Sequence, residues 1–428
     1  MNIKGQHNKS NHCRRYFCIM SLNRKNILHV VFLLCGQIAF VGAWSQPILK
    51  SELVVKKSDE VIVGAQRTAL YMPMLANKKV AIAGNHTSLI GHKHLVDSLL
   101  LLGVQIKKVF SPEHGFRGDA DAGEHVTTTT DAQTGIPIIS LYGKNKKPTD
   151  AQLADIDIVV FDMQDVGARF YTYISTMTYI MDACSRLGKK VIILDRPNPN
   201  GHYIDGPILE EKYKSFVGLH PVPVVHGMTI GEYACMVSEE GWLESGKKCD
   251  LTIIECEKYD HKTLYELPVK PSPNLGAMPA IYLYPSLCFF EGTVMSVGRG
   301  TDKPFQVVGH PSLKETPFSF TPRSIPGAAK NPKYEGKTCY GYDLSTFGEA
   351  YIRDLGTIYL FWLIDLYQRY ENKSEFFTSY FNTLAGTDKL KSDIIAGKSE
   401  EQIRHSWKEG IDRFKKIRKK YLLYTDFE

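Results

Sequence analysis

Between about residues 78 and 256, short runs of β-branched and other apolar residues alternate with stretches of helical periodicity. That alternation predicts a doubly wound α/β domain with a mostly parallel sheet. The runs place strands at 80–83, 105–110, 138–141, 156–161, 191–194 and 251–256, and the periodic stretches place helices at 94–102, 171–187 and 229–243. Gly188 and two lysines follow Leu187, a glycine stop with cations at the negative end of a helix. Four of the strands stop at residues able to do chemistry: Asn85 and His86; Glu113 and His114; Asp162, Gln164 and Asp165; Asp195, Arg196 and Asn198. In open parallel sheets the ligand crevice lies outside the carboxyl ends of the strands, so these groups are expected to converge in space.

Beyond residue 256 the pattern changes. The Pro-rich stretch 267–273 (LPVKPSP) reads as a crossing between domains. A Gly-rich stretch at 291–300, a Pro-rich segment at 316–332 and a helical end rich in Lys and Arg at 400–421 come after it. The expected organisation is a first domain over 46–266 and a smaller α+β C-terminal domain over 267–428.

Residues 1–45 are a different material. They hold six Lys or Arg and no Asp or Glu, and 27–41 run mostly apolar before Gly42, Ala43, Trp44 and Ser45. A basic start, an apolar stretch of this length and a small-residue cleavage site are the marks of a secretory signal, and the stretch is short of the roughly 20 residues a membrane span needs. The expectation is an exported, periplasmic protein with no stable membrane insertion once the signal is cleaved. Without that segment Lys plus Arg and Asp plus Glu balance at 46 each. A balanced chain has no electrostatic reason to bind nucleic acid. Six cysteines remain (Cys184, Cys235, Cys249, Cys256, Cys288, Cys339), with no C-x-x-C pair.

Missing signatures narrow the chemistry. There is no G-x-G-x-x-G after the first strand, no G-x-x-x-x-G-K-[ST], no G-x-S-x-G and no H-E-x-x-H. His92 with His94 and His114 with His125 are the only tempting metal pairs, and neither supplies a full ligand set. No cofactor or metal is expected. The strand ends are instead rich in carboxylates, arginines, amides and aromatics, which suits an enzyme or receptor acting on a sugar. Glycoside hydrolysis needs a carboxylic acid at the leaving oxygen and usually a second carboxylate. Candidates are Glu113, Glu124, Asp162, Asp165, Asp195 and Glu291. Glu113 directly follows a strand, between Pro112 and His114, although a turn or capping carboxylate would sit there equally well. Asp162 and Asp165 compete with one another for helix capping. Phe170, Tyr173, Ile174, Met177 and Met181 share a helical core face, whereas Tyr171 points elsewhere and is the sugar-stacking candidate.

Seven strings, in order, carry a resemblance: FSPEHGFRG (110–118), SLYG (140–143), FDMQDVGARFYTYISTM (161–177), LDRPNPN (194–200), VHGMT (225–229), PSPN (271–274) and FEGTVMSVGRGTDKP (290–304). Over roughly 75–428 the chain resembles the bacterial exo-β-N-acetylmuramidases, the NamZ-type peptidoglycan hydrolases. One departure is Gly84-Asn85-His86-Thr87, where the family tends to carry Thr-Asn-Gln-Thr. The resemblance implies a Rossmann-like domain joined to a smaller C-terminal domain with the active site between them. It also implies removal of N-acetylmuramic acid from the non-reducing end of peptidoglycan-derived saccharides.

Carried onto this chain, it assigns Glu113 as the general acid or base, with Asp162 or Asp165 as its partner and His114 tuning Glu113 or holding the lactyl group. Substrate contacts would come from Asn85, Arg117, Gln164, Arg169, Tyr171, Arg196, Asn198, His226, Asn274, Glu291 and Arg299. Muramic acid carries a lactyl carboxylate, which a bidentate guanidinium recognises best, and Arg117, Arg169, Arg196 and Arg299 all lie in the matching strings. Arg117 would lower the pKa of a nearby acid, so its expected partner is substrate or Asp119 and not Glu113. Two other readings use the same crevice: a non-catalytic periplasmic receptor for cell-wall sugars, and a β-N-acetylglucosaminidase with no need of an arginine for the lactyl acid.

Overall fold

All six apolar runs become parallel strands of one sheet. The computed structural model describes residues 53–57, 60–112, 115–117 and 129–428. The signal expected at 1–45, and Glu113, His114, Asp119, Glu124 and His125, lie outside the described residues. The sheet contains β1 (Lys79–Gly84), β2 (Gln105–Ser111), β3 (Thr129–Thr130), β4 (Pro137–Ser140), β5 (Ile158–Asp162), β6 (Lys190–Leu194) and β7 (Asp250–Ile254). Their spatial order is β7-β6-β5-β1-β2-β4-β3. All neighbours are parallel except β3, a two-residue edge that runs antiparallel to β4. From β1 the chain builds outward to β4, then returns to the other side of β1 to lay down β5. The order therefore reverses between β1 and β5, where ligand crevices form in such sheets.

Every residue of β5 is buried, as expected of a central parallel strand covered on both faces. Alternation along β1 sends Ala81 and Ala83 to one core, with Phe161 and Met177, and Val80 and Ile82 to the other, with Tyr71 and Leu99. Three helices lie where periodicity places them, shorter than expected: α1 (Leu95–Leu101), α2 (Tyr173–Leu187) and α3 (Ile230–Glu239). Gly188 ends α2 in the left-handed conformation with φ 62°. A Thr229–Glu232 capping box opens α3, and Gly241, with φ 70°, follows its end. A further helix, Thr68–Leu75, precedes β1 and contains Pro73.

The C-terminal part begins with α4 (Met278–Leu287). It adds a small antiparallel sheet of β8 (Val307–His310), β9 (Phe318–Phe320) and β10 (Cys339–Asp343), ordered β8-β10-β9. Helices follow, up to α5 (Glu400–Arg418). The fold is thus an α/β sheet with a smaller α+β part. One continuous core runs from Phe161 and Met177 through Tyr284 and Phe289 to Phe376 and Phe414. After α5 the chain folds back onto the first half, where Tyr424 donates to Asp195 Oδ2 (2.7 Å) and Leu423 N donates to Glu232 Oε1 (2.8 Å). Among the described residues no helix is long and apolar enough to cross a membrane.

Candidate active site

The groups at the carboxyl ends of the strands do converge, and they bond mainly to one another. After β1, Asn85 Oδ1 accepts from Thr87 N (2.9 Å) and its Nδ2 donates to the Tyr173 hydroxyl (2.8 Å). Gln164 N donates to Thr87 Oγ1 (3.0 Å), while Gln164 Nε2 donates to the carbonyls of Asp165 (2.8 Å) and Pro197 (2.7 Å). Ser88 donates to the main-chain oxygen of Asp162. His86 Nε2 lies 2.8 Å from the Lys270 carbonyl. These contacts lock the switch point into a polar layer, and the open space lies one layer further out.

That space is a cavity of about 580 Å³, within the ~300–1,000 Å³ usual for ligand sites. Five parts of the chain wall it: Tyr142, Gly143 and Lys146 after β4, 170–173 at the start of α2, 215–217, Ser272, Asn274 and Leu275 before α4, and residues from the C-terminal part, including Glu291, Arg299 and 383–384. Of the expected site residues, the cavity brings together Tyr171, Asn274, Glu291 and Arg299. Arg299 Nε donates to Glu291 Oε1 at 2.7 Å, and its guanidinium lies 5.0 Å from the centre of the Phe305 ring. Glu291 and Arg299 also line a smaller adjoining pocket with Lys333, whose ammonium donates to the Thr293 carbonyl (2.7 Å). Burial lowers the pKa of Lys333. Tyr171 donates to the Pro271 carbonyl (2.8 Å), and Asn274 Nδ2 donates to the Ala328 carbonyl (2.9 Å). Among the described residues, no group of three or more His, Cys, Asp or Glu is placed to hold a metal.

The other expected residues that are described sit in the framework and do not line the cavity. Asp162 is fully buried and taken up by Arg196, with Nε to Oδ1 at 2.5 Å and Nη2 to Oδ2 at 2.9 Å. Asp165 Oδ2 accepts from Gly167 N (2.7 Å), and burial raises its pKa to about 7. Asp195 accepts from Thr229 Oγ1 and Tyr424 (2.7 Å each), and burial, outweighing these donors, raises its pKa to about 6. Arg117 pairs with Asp131 (2.8 Å) and Asp97 (3.2 Å), and the Arg117 contact holds Asp131 down at about 2.

Arg169 is wholly buried, and burial lowers its pKa to about 9. Its guanidinium meets the carbonyls of Pro207, Val222, Leu384 and Ala385. Gly167, two residues before Arg169, makes room for Asn198; a Cβ there would come within 2.2 Å of it. Asn198 donates to the Met228 carbonyl (2.8 Å). His226 is buried against Tyr233, and burial lowers its pKa to about 3. These placements share one tendency: most of the polar groups are taken up by protein partners, while Asp165 Oδ1, Arg169 Nε and His226 Nε2 are buried without a hydrogen-bond partner among the described residues.

Several wall residues were not among the expected site residues. Tyr142 and Ser272 lie inside strings already singled out (SLYG and PSPN) and could have been picked from them. Lys146, Phe216, Tyr380 and Thr383 belong to no motif and reach the cavity only through tertiary folding.

Comparison with known proteins places these features in a family. The family model for the N-terminal domain of the exo-β-N-acetylmuramidase NamZ matches residues 80–279, and the model for its C-terminal domain matches residues 282–424. The peptidoglycan β-N-acetylmuramidase NamZ of Bacillus subtilis is 40% identical over 375 residues, covering 83% of this chain and 89% of that protein. The crystal structure of a DUF1343 family protein of Bacteroides fragilis superposes with a TM-score of 0.80 at 51% identity, covering 86% of this chain and 99% of that one. A second DUF1343 protein of the same species gives a TM-score of 0.71 at 27% identity, with the same coverage.

Proposed function

The chain belongs to the NamZ exo-β-N-acetylmuramidase family, and from that membership we propose that this glycoside hydrolase releases N-acetylmuramic acid from the non-reducing end of peptidoglycan fragments. The observation that carries the reading is the Glu291–Arg299 pair in an aromatic-walled cavity. A sugar needs apolar surface for its ring faces and a few directed polar groups, and the lactyl carboxylate of muramic acid needs a guanidinium. Arg299 is the arginine of the four candidates that lines the cavity.

In this reading Glu113 is the acid that protonates the leaving oxygen. Its strand, β2, ends at Ser111, which pairs with Ser140 of β4, and β4 runs on into the cavity residues Tyr142 and Gly143. The second role passes from Asp162 and Asp165, which are held in the framework, to Glu291 or to the substrate's own acetamido group. Export to the periplasm, proposed from residues 1–45, would bring the enzyme to its substrate.

Glu113→Gln tests the assignment. General acid–base catalysis contributes about 10²- to 10⁴-fold, so turnover of an N-acetylmuraminide should fall by that factor with the melting temperature preserved. A variant keeping more than roughly a tenth of parental turnover would remove Glu113 from the mechanism.

A further inference from the structure

The cavity has two ends of different character. Beside the half-buried Glu291–Arg299 pair its floor is made of buried side chains, Phe305, Cys288, Tyr284 and Tyr171. Its rim is open: Phe216 and Lys146 are half-buried and Tyr380 is 41% exposed. An enzyme that encloses a terminal sugar must pass the rest of the glycan out over the open side. We propose that the rim walls at 215–217 and 380–384 form a second saccharide subsite for the sugar on the leaving side of the bond. Phe216 is its apolar platform, and Arg169 is the positioning residue that holds its two walls. The inference rests on the muramidase reading and adds to it where the leaving sugar binds.

The platform is fixed before any ligand arrives. Phe216 stacks on Tyr179 at 5.8 Å and 27°, and Lys147, anchored by Asp182 (2.8 Å) and Glu244 (2.7 Å), lies 5.2 Å from the centre of the Tyr179 ring. Ser215 and Gly218 close the turn with two main-chain hydrogen bonds, Ser215 N to Gly218 O (2.8 Å) and Gly218 N to Ser215 O (3.0 Å). A preordered ring loses little entropy on binding, which is what a stacking platform requires.

Donors stand beside it. The Lys146 ammonium lies 4.4 Å from the Phe216 ring centre, so apolar surface and a hydrogen-bond donor are offered together. The buried Ser215 hydroxyl has no hydrogen-bond partner among the described residues, and such groups call for an explanation.

The bracket is Arg169. One side of its guanidinium donates to Pro207 (2.8 Å) and Val222 (2.7 Å), flanking the 215–217 wall; the other donates to Leu384 (3.2 Å) and Ala385 (2.6 Å) at the 380–384 wall. Glu210 N donates to the Gly386 carbonyl (2.8 Å) and reinforces the same junction. A buried arginine spent on four carbonyls of two separate segments sets the spacing between them.

The test compares a two-sugar ligand with a one-sugar ligand. The KM of the disaccharide of N-acetylmuramic acid linked to N-acetylglucosamine and the inhibition constant of free N-acetylmuramic acid are measured in the parent, Phe216→Ala, Phe216→Tyr and Arg169→Lys. Aromatic contacts of this kind are worth about two- to tenfold, so Phe216→Ala should raise the disaccharide KM by that factor and leave the monosaccharide constant unchanged. Phe216→Tyr should restore the KM, and Arg169→Lys, whose single ammonium cannot span four carbonyls, should show the same split as the alanine variant. An unchanged KM, or equal shifts in both constants, overturns the subsite. If the parent does not cleave the disaccharide, the muramidase reading fails by itself. Calorimetric binding of the two saccharides to the parent and Phe216→Ala then decides the subsite by the same split.

Discussion

Arg299 and Arg169 lie in two strings of one family pattern and do opposite things. Arg299 reaches the cavity and shares it with Glu291, whereas Arg169 is spent on main-chain carbonyls. If Arg299 binds the lactyl acid, Arg299→Ala should lower the preference for muraminide over glucosaminide. A hydrogen bond to a charged group is worth about 1.5–3 kcal/mol, so the ratio of kcat/KM values should fall roughly ten- to hundredfold. An unchanged ratio would mean that Lys333 or a backbone amide binds the acid.

A second residue-scale prediction concerns Asp165, whose pKa rises from 3.8 to about 7 through burial. The folded state keeps a proton that the unfolded state has lost. The stabilisation is therefore complete below about pH 4, drains away as pH rises and is gone above about pH 7, a loss on the order of 4 kcal/mol. Asp195, raised to about 6, acts in the same direction. The melting temperature should fall between pH 4 and pH 7 in the parent and fall less in Asp165→Asn; equal falls would contradict the shift.

Among elements, the six parallel strands were legible, most of all the central ones, because a parallel strand covered on both faces must be apolar nearly throughout, and β1, β5 and β6 are. The strand expected at 156–161 is Ile158–Asp162, starting two residues later: Ile156 N still closes a turn onto the Leu153 carbonyl (3.1 Å), and Asp157 bonds to the first residue of β1, its carboxylate accepting from Lys79 N. The edge β3 has two threonines and no pattern to betray it. Candidate chemistry at the strand ends was legible in location and not in use. Sequence placed Asp162, Gln164, Arg196 and Asn198 at one edge of the sheet, but whether each faces a ligand or a neighbour depends on partners far away in the chain. Arg196 is 34 residues from Asp162, and Arg169 is 215 from Leu384. The same distance hid the walls at 215–217 and 380–384, which carry no motif and meet only once both halves have folded.

For the molecule as a whole, the C-terminal segment ties the halves together. Tyr424 donates to Asp195 Oδ2 (2.7 Å) and accepts from Cys256 N (2.8 Å), and His261 N donates to the Thr425 carbonyl (3.0 Å). Tyr424→Phe leaves a buried carboxylate and an amide each short of a partner. It should cost about 1–3 kcal/mol of unfolding free energy in denaturant titration, and no loss would mean that water replaces the hydroxyl. What this architecture serves is a cavity assembled from both halves. The most direct measurement of its purpose supplies the enzyme with peptidoglycan fragments ending, at the non-reducing end, in either N-acetylmuramic acid or N-acetylglucosamine, and follows the sugars released. The account predicts free N-acetylmuramic acid, one residue at a time, from the first set only, and none with Glu113→Gln. Release of N-acetylglucosamine, cleavage within the chain, or binding of either fragment without hydrolysis would contradict it.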